Sequence, residues 1–265
     1  MKRAVWLLTA VVGVVILAGC GGGGGGGATP AIPLDGVLRQ MQAGDQWTYS
    51  ITGTVTDGVD TVNVSGTMAQ TWSAQTVLTP NSATANIVLW NMSLSGNGQT
   101  IATWDRSYES QDSTGTIWEY GGEDEDGVYW VITPATGKDL DTPSPMSQGT
   151  SWGGYCQYSN GESVNAAYTV VGQETIAVSA GSFGTYKVTG NGLFGGYPAT
   201  VTEWYAPQIG GMVKGNMLAT DSIQGITMTL TITLQSKSRS VHLVQAETKE
   251  GGDLMEWARR VIGKP

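Results

Sequence analysis

Apolar and polar residues alternate strictly along much of this chain from residue 46 onward. In residues 226–234, ITMTLTITL, five apolar residues alternate with four threonines. Residues 47–56, WTYSITGTVT, and residues 86–95, NIVLWNMSLS, repeat the two-residue period. A two-residue period places successive side chains on opposite faces of a β-strand, and threonine suits the exposed face. The alternation therefore predicts antiparallel strands with one apolar face and one wet face.

The same period recurs more weakly along the rest of the chain. It is found at residues 61–72, 99–109, 127–133, 164–172, 184–190, 199–206 and 211–219. Turn-forming residues fill the gaps, as at Pro80-Asn81, Gly96-Asn97-Gly98 and Gly121-Gly122. We therefore expect an all-β fold of ten or more strands, built as one large curved antiparallel sheet, either a half-barrel or a sandwich.

Two segments have a helical pattern instead. In DLMEWARRVIG, residues 253–263, the apolar residues recur at helical spacing, which predicts one C-terminal amphipathic helix. This helix must bury its apolar stripe, and a face or the open end of the sheet is the available surface. A short helical turn is expected over Leu34–Met41. Residues 134–154 show no period, but they are too few to divide residues 34–265 into two domains.

The first nineteen residues have the three parts of a secretory signal peptide. Lys2 and Arg3 precede an apolar core at residues 4–16, and small residues follow at 17–19. The apolar run is short for a membrane-spanning helix and has no charged stop after it. We expect export and removal of residues 1–19.

The sequence LAGC at residues 17–20 resembles the lipobox of bacterial lipoproteins. That resemblance implies a diacylglycerol thioether on Cys20 and, in many bacteria, an acylated amine such as a palmitoyl amide. The alternative is a secreted protein in which Cys20 is an ordinary thiol. Residues 20–33 then form a glycine-rich tether, which reaches on the order of 20 Å as a flexible coil.

The residue after Cys20 bears on localisation. It is glycine rather than the aspartate that favours inner-membrane retention in enteric bacteria. The resemblance therefore implies the outer membrane if the host has two membranes, and otherwise the outer face of the cell membrane.

Charge and cysteine content exclude several functions. The formal net charge is −9 and the pI about 4.5, so no basic stripe is available for nucleic acid. Only 13% of the residues are charged, which is common in exported β proteins. If Cys20 is lipidated, Cys156 has no partner for a disulfide, and a buried thiol is favoured over a reactive one.

Three stretches resemble a pattern found in uncharacterised bacterial lipoproteins and exported proteins. They are AGDQWTYSITGT at residues 43–54, ETIAVSAGSFGTYKVTG at 174–190 and TEWYAPQIGGMVKG at 202–215. The chain departs from the pattern at Ser179, where proline is usual, and at Gln208, where glycine is usual. In outline such families are similar to the LolA and LppX carriers, which implies a curved sheet that holds an acyl chain under a helix. Fold alone does not imply function.

No pattern of catalytic or metal-binding residues stands out. His242 is the single histidine and no nucleophile elbow precedes it, so we expect neither a Ser-His-Asp triad nor a zinc site. Glu123, Asp124, Glu125 and Asp126 form the densest acidic cluster, which suits calcium by charge, but a solvated hairpin tip is favoured. Spacing selects no carboxylate pair for glycoside hydrolysis. We expect no cofactor and no enzymatic activity.

Tryptophan is the most unusual component of the sequence. Ten tryptophans accompany only two phenylalanines. Trp47, Trp90 and Trp204 are in phase with apolar neighbours, so we expect them in the core. Trp104, Trp118 and Trp130 flank polar residues and are candidates for aromatic side chains that face a ligand. Core or rim packing is the alternative for these three.

These observations favour a lipid-anchored, exported, non-enzymatic binding or carrier module for a lipid or another apolar ligand. The alternative is a structural or protein-interaction component of the cell envelope, in which the chain's own helix and strands fill the apolar face. The membrane, reached through Cys20, is the one partner that the sequence indicates.

Overall fold

The strands form one continuous antiparallel sheet. The computed structural model describes residues 34–78, 83–124, 129–132, 138–158, 163–194, 197–239 and 254–263, with backbone only at 129–132, 156, 158, 163–164 and 193–194. The strands are β1 Asp45–Thr56, β2 Thr61–Leu78, β3 Thr84–Gly96, β4 Gln99–Gln111, β5 Ile117–Asp124, β6 Tyr129–Ile132, β7 Asp139–Thr142, β8 Ser151–Tyr158, β9 Ser163–Val178, β10 Gly181–Phe194, β11 Tyr197–Ala206, β12 Gly211–Asp221 and β13 Ile226–Arg239. One helix, α1, spans Leu254–Val261.

The sheet closes on itself. The strands lie in the order β4-β3-β2-β1-β13-β12-β11-β10-β9-β8-β6-β5, and β5 also pairs with β4. This pairing makes a barrel-like ring of twelve strands, while β7 extends the sheet along β5 beside β6. The predicted all-β class, curved antiparallel sheet and C-terminal helix are thus confirmed, and the curvature reaches closure.

Successive hairpin turns alternate between the two ends of the barrel. The turns β1–β2, β3–β4, β10–β11 and β12–β13 lie at one end, which we call the helix end because α1 packs there. At this end Asn97 Nδ2 donates a hydrogen bond to the Val261 carbonyl at 2.9 Å. Arg259 Nη2 donates to the Tyr197 hydroxyl at 2.6 Å and lies 3.4 Å from an Asp221 carboxylate oxygen. Three hairpin tips therefore hold α1 in the mouth of the barrel.

The opposite end, which we call the N-terminal end, is crossed by residues 34–44. The expected helical turn over Leu34–Met41 is wrong, because the backbone donors of this segment bond to distant groups. Leu38 N donates to Ser144 Oγ at 3.1 Å, Arg39 N to the Pro207 carbonyl at 2.9 Å and Met41 N to Gln111 Oε1 at 2.6 Å. An extended chain satisfied by neighbouring turns has no need of helical hydrogen bonds.

Glycines with positive φ shape two of the tight turns. A 3-10 turn at Pro207–Ile209 joins β11 to β12, and Gly210 follows it at φ 66°, in the left-handed region that glycine adopts freely. Gly181 has φ 135° where β10 begins after β9. Both turns fix the register of long strand pairs.

Close approach of strands makes Gly66 a sensitive position. A methyl group there would overlap the Ser93 carbonyl oxygen and the Leu94 backbone on β3. We expect Gly66→Ala to lower the free energy of unfolding by about 1–3 kcal/mol through overpacking. Gly172→Ala on β9 is the matched control, since its methyl group would meet nothing within 4 Å. Urea unfolding followed by circular dichroism compares the two; equal stabilities would contradict this packing.

Candidate ligand-binding site in the barrel interior

The strand register shows which side chains line the interior. In antiparallel pairs, directly opposed residues share a face of the sheet. One such row crosses four strands through Met92, Met68, Tyr49 and Leu234. Every member is at most 4% exposed. β1, β2, β3 and β13 therefore give the interior an apolar wall.

Helix α1 completes this apolar side. Its buried residues are Leu254, Met255, Trp257, Ala258 and Val261. They belong to the same apolar cluster as the inner residues of β1, β2, β12 and β13. Trp257 is fully buried, and its indole Nε1 makes no hydrogen bond within the described part of the chain. The mouth that α1 fills is consequently apolar.

The wall formed by β4 and β5 is acidic inside. Thr103, Asp105, Ser107 and Glu109 alternate along β4 and are at most 3% exposed. On β5, Asp124 lies opposite Asp105 and Glu119 lies opposite Glu109. Their exposed fractions are 1% and 8%. The barrel interior is therefore amphipathic, with carboxyl groups beside an apolar wall.

Burial and neighbouring charge change the ionisation of this acidic wall. Burial and the nearby Asp141 carboxylate raise the pKa of Glu109 well above its ordinary value, against a hydrogen bond from Ser107 Oγ. Burial likewise raises the pKa of Asp141 to about 6. Like charges in a poorly solvated space disfavour ionisation in this way.

Tyrosines continue the polar side toward β11. Glu203, 6% exposed, points to the same face as Tyr205, which pairs with Tyr186 of β10. Burial raises the pKa values of Tyr205 and Tyr49, and the charge of the Glu203 carboxylate raises both further. Both phenols therefore stay protonated at neutral pH and retain their O–H groups. The Tyr49 hydroxyl donates a hydrogen bond to the Met212 carbonyl oxygen at 3.2 Å.

These ionisations predict how stability depends on pH. A carboxyl group whose pKa is higher in the folded protein stabilises the fold below its unfolded value, and that stability is lost as pH rises through the folded value. For Asp141 the window runs from pH 3.8 to about 6, and for Glu109 it starts at 4.5. We expect the urea midpoint to fall across this window.

Glu109→Gln tests the origin of that slope. Glutamine keeps the acceptor for Ser107 but cannot ionise, so the variant should flatten the pH dependence and be more stable than the wild type at pH 7. Asp60→Asn, at an exposed position in the β1–β2 turn, is the control and should keep the wild-type slope. A Glu109→Gln profile parallel to wild type would contradict the assignment.

Two of the three candidate tryptophans lie on the outer face. Trp104 falls between the inward Thr103 and Asp105, and Trp118 falls between Ile117 and Glu119. Both are half-buried. The backbone of Trp130 pairs with Gly122 and Tyr158, and its side chain lies outside the described structure. The idea that these three contact a ligand stays a prediction.

The tryptophans expected in the core divide between the two faces. Trp47 is fully buried inside, and Trp90 packs against the same cluster with Nε1 3.4 Å from Ser107 Oγ. Trp204 is buried on the outer face, where it donates to Glu174 Oε1 at 2.7 Å and lies beneath two lysine side chains. The core assignment is thus confirmed for Trp47 and Trp90, and Trp204 is buried as expected, but on the outer face of the sheet.

The acidic cluster at residues 123–126 is not a solvated tip in its described half. Glu123 and Asp124 belong to β5; Glu123 pairs with Arg106 at 2.7 Å outside, whereas Asp124 is buried inside. Glu125, Asp126 and His242 lie outside the described residues, as do the Cys156 side chain, the signal peptide, Cys20 and the tether. In the described part of the chain, no three His, Cys, Asp or Glu side chains form a metal site.

A shallow depression lies on β1 to β4. It has a volume of about 190 Å³ and is lined largely by small side chains, including Thr67, Ala69, Ser93 and Ala102. Strand register places these residues on the face opposite to Met68 and Met92. Met68, Met92 and Thr103 also line the depression, so residues of the inner face contribute to it as well.

Sequence reasoning missed the acidic wall. Residues 104–109, WDRSYE, alternate aromatic or basic residues with polar ones, and an aromatic set is ordinarily assigned to the core. One usable signal was present, since Asp105, Ser107 and Glu109 share one phase in a strand whose other phase holds Arg106. Only the register across β3, β4 and β5 shows which phase faces inward.

These features define an antiparallel β-barrel with an amphipathic interior and a helix in one mouth. No described helix has the length and hydrophobicity needed to span a membrane. No family model matches the chain, and no curated protein matches its sequence.

Three solved structures are similar in fold. A Bacteroides fragilis protein inferred to be exported, with a YmcC-like fold, is 16% identical with a TM-score of 0.41 and covers 77% of this chain and 100% of its own. A lipoprotein inferred in Parabacteroides distasonis is 11% identical with a TM-score of 0.36, covering 74% and 96%. A β-barrel-like protein of a domain of unknown function, DUF1849, from Brucella abortus is 10% identical with a TM-score of 0.44, covering 77% and 99%. These sequence identities and TM-scores are too low to infer the function of this chain.

Proposed function

We propose that this protein is an exported lipoprotein, anchored through Cys20, whose barrel binds a lipid or another apolar ligand in its interior. One observation carries the proposal: the apolar mouth of the barrel is filled by a short amphipathic helix rather than by strands. An apolar ligand and the helix stripe would compete for the same surface.

The energetics of α1 favour its displacement from the mouth by an apolar ligand. A helix of eight residues is too short to be stable alone in water, so it persists only by burying its stripe. Its polar ties to the barrel include Arg259 to Tyr197 and Asp221, and Asn97 to the Val261 carbonyl. An acyl chain that covers the same inner wall replaces the apolar burial, at about 25 cal/mol per Å².

The amphipathic interior suits a ligand with two chemical parts. The row from Met92 to Leu234 offers an apolar surface for a chain. The adjoining β4–β5 wall offers carboxyl groups, and β11 offers the Tyr205 hydroxyl, to a polar head that donates hydrogen bonds. Most ligand sites combine an apolar lining with a few such polar groups.

The arrangement gives no support to a catalytic role. Glu109 and Glu119 oppose each other across β4 and β5, as a hydrolase pair might, but both are at most 8% exposed. A glycoside hydrolase pair must flank a substrate bond and admit water. We therefore propose a binding module without enzymatic activity, held at the outer membrane in a host with two membranes.

A structural role in the cell envelope is the second candidate. It is favoured by the nearly complete burial of the inner apolar residues, since Trp47, Val55, Met228 and Trp257 have no exposed surface. In that case α1 is a permanent part of the core, and function lies in a protein partner.

Truncation before Leu254 distinguishes the two candidates. If α1 is a displaceable lid, the truncated protein should remain folded and bind a fluorescent fatty acid more tightly than the intact protein. Arg260→Ala, an exposed change on α1, is the matched control and should bind as wild type does. Aggregation of the truncated protein, or folding without any fatty-acid binding, would contradict the carrier proposal.

A further inference from the structure

In the β4–β5 hairpin, polar residues face the barrel interior and aromatic residues face outward, which is the reverse of an ordinary soluble β-barrel. The carboxyl groups of the hairpin point inward, while Trp104 and Tyr108 on β4 and Trp118 and Tyr120 on β5 point outward and are half-buried. Ile87 and Leu89 of β3 lie opposite Tyr108 and Arg106, so the outward apolar surface continues onto a third strand. These half-buried side chains form a contiguous apolar strip that reaches the solvent, and apolar surface of this kind marks an interaction site.

Polar groups border this aromatic surface. The Arg106 guanidinium lies 5.1 Å from the centre of the Trp104 ring, and Lys138 Nζ lies 3.9 Å from that of Trp118. Trp118 Nε1 donates to Asp112 Oδ2 at 3.1 Å, and the Tyr120 and Ser110 hydroxyls are 3.1 Å apart. Each ring thus combines an apolar body with a wet edge, as aromatic residues do at the boundary between lipid headgroups and acyl chains.

The turn of this hairpin lies at the N-terminal end of the barrel, where the described chain begins. Leu34 is the first described residue, its carbonyl accepts a hydrogen bond from the Tyr186 hydroxyl, and the following residues cross this end to the β4–β5 turn. There Gln40 Nε2 donates to the Asp112 carbonyl at 2.9 Å, and Gln111 Nε2 to the Arg39 carbonyl at 3.1 Å. In the sequence, Cys20 precedes Leu34 by 14 residues.

We propose that this outer surface of β4 and β5, defined by Trp104, Tyr108, Trp118 and Tyr120, docks onto the surface of the lipid bilayer. The inference rests on the proposed function only for the choice of a membrane as the partner, because Leu34, which follows the proposed anchor segment in the chain, lies at the same end of the barrel as the β4–β5 turn. A surface contact added to a lipid anchor raises the effective affinity, since the second binding event is intramolecular.

Insertion of aromatic rings drives this contact more than charge does. The chain carries a net charge of −9, and Arg106 is already paired with Glu123 at 2.7 Å. Anionic lipid would therefore repel the domain as a whole, whereas ring insertion requires no charge on the lipid. Docking should occur on zwitterionic vesicles and change little with salt.

The test uses the protein from Ala28 to Pro265, which retains every described residue but lacks Cys20. Sedimentation with phosphatidylcholine vesicles measures its partitioning. We expect Trp104→Ser combined with Trp118→Ser to reduce partitioning about tenfold or more, since two rings leave the interface. Val171→Ser combined with Ile223→Ser is the matched control; it removes apolar groups that are 40% and 90% exposed on other elements, and should change nothing.

A second measurement does not depend on how the variants fold. Hydroxyl-radical footprinting of the unmodified protein should show Trp104 and Trp118 protected when vesicles are added. Absence of partitioning and of protection would overturn the proposal. Protection that appears without vesicles and grows with protein concentration would assign the surface to a second copy of the chain, and would also overturn it. Neither readout involves Cys20 or an interior ligand, so failure here leaves the carrier proposal standing.

Discussion

Replacing Trp257 by alanine is expected to lower the free energy of unfolding by about 3–5 kcal/mol, the range for deleting a fully buried tryptophan. The side chain is fully buried in the helix end of the barrel and packs with the main apolar cluster. Its removal should leave an apolar cavity in the mouth. Such cavities stay dry and accept small apolar molecules, so indole should raise the unfolding midpoint of the variant.

Urea unfolding with and without indole measures this effect. Arg260→Ala is the control on the same helix, because Arg260 is exposed and its loss should change stability by no more than about 0.5 kcal/mol. A Trp257→Ala variant as stable as Arg260→Ala would mean that α1 does not pack in the mouth as described.

Replacing Cys20 by serine is expected to release the protein from the membrane fraction almost completely. Each buried methylene of an acyl chain contributes about 0.8 kcal/mol to membrane binding, and two or three chains give stable anchoring. The outer surface of β4 and β5 alone would provide a much weaker contact. Cell fractionation, with mass spectrometry of the N-terminal peptide, measures both location and acylation.

Cys156→Ser is the matched control for that experiment. Cys156 is the other cysteine of the chain and lies in β8, so its replacement should leave fractionation unchanged. Retention of the Cys20→Ser protein in the membrane fraction, with an unmodified wild-type peptide, would contradict lipidation.

Local pattern was sufficient to predict most of this fold. The alternation of Thr with Ile, Met and Leu in β13 predicts both the strand and its inner face, because with a two-residue period all the apolar residues lie on one face of the strand. The spacing of Leu254, Trp257, Ala258 and Val261 likewise predicted α1 and its buried side. Pro207 and Gly210 suit the β11–β12 turn because proline restricts the backbone and glycine adopts the left-handed region freely.

Long-range pairing decided what local pattern could not. Closure depends on β4 meeting β5 and on β6 joining β5 to β8, and no periodicity specifies such partners. Closure also reversed the faces of β4 and β5, so the rings of Trp104 and Trp118 lie outside and Glu109 and Glu119 lie inside. A strand with polar residues in both phases leaves this choice open. The segment Leu34–Met41 was misjudged for the same reason, since its hydrogen-bond partners are Ser144, Pro207 and Gln111.

Native mass spectrometry of the protein from Ala28 to Pro265, expressed with export and followed by organic extraction, tests the central claim most directly. The carrier proposal predicts a reproducible extra mass that extracts as lipid. The extra mass should be lost in the variant in which the inner residues Met68 and Met92 are both replaced by aspartate. A protein whose mass matches its sequence alone, across preparations and after incubation with the host's lipids, would contradict it.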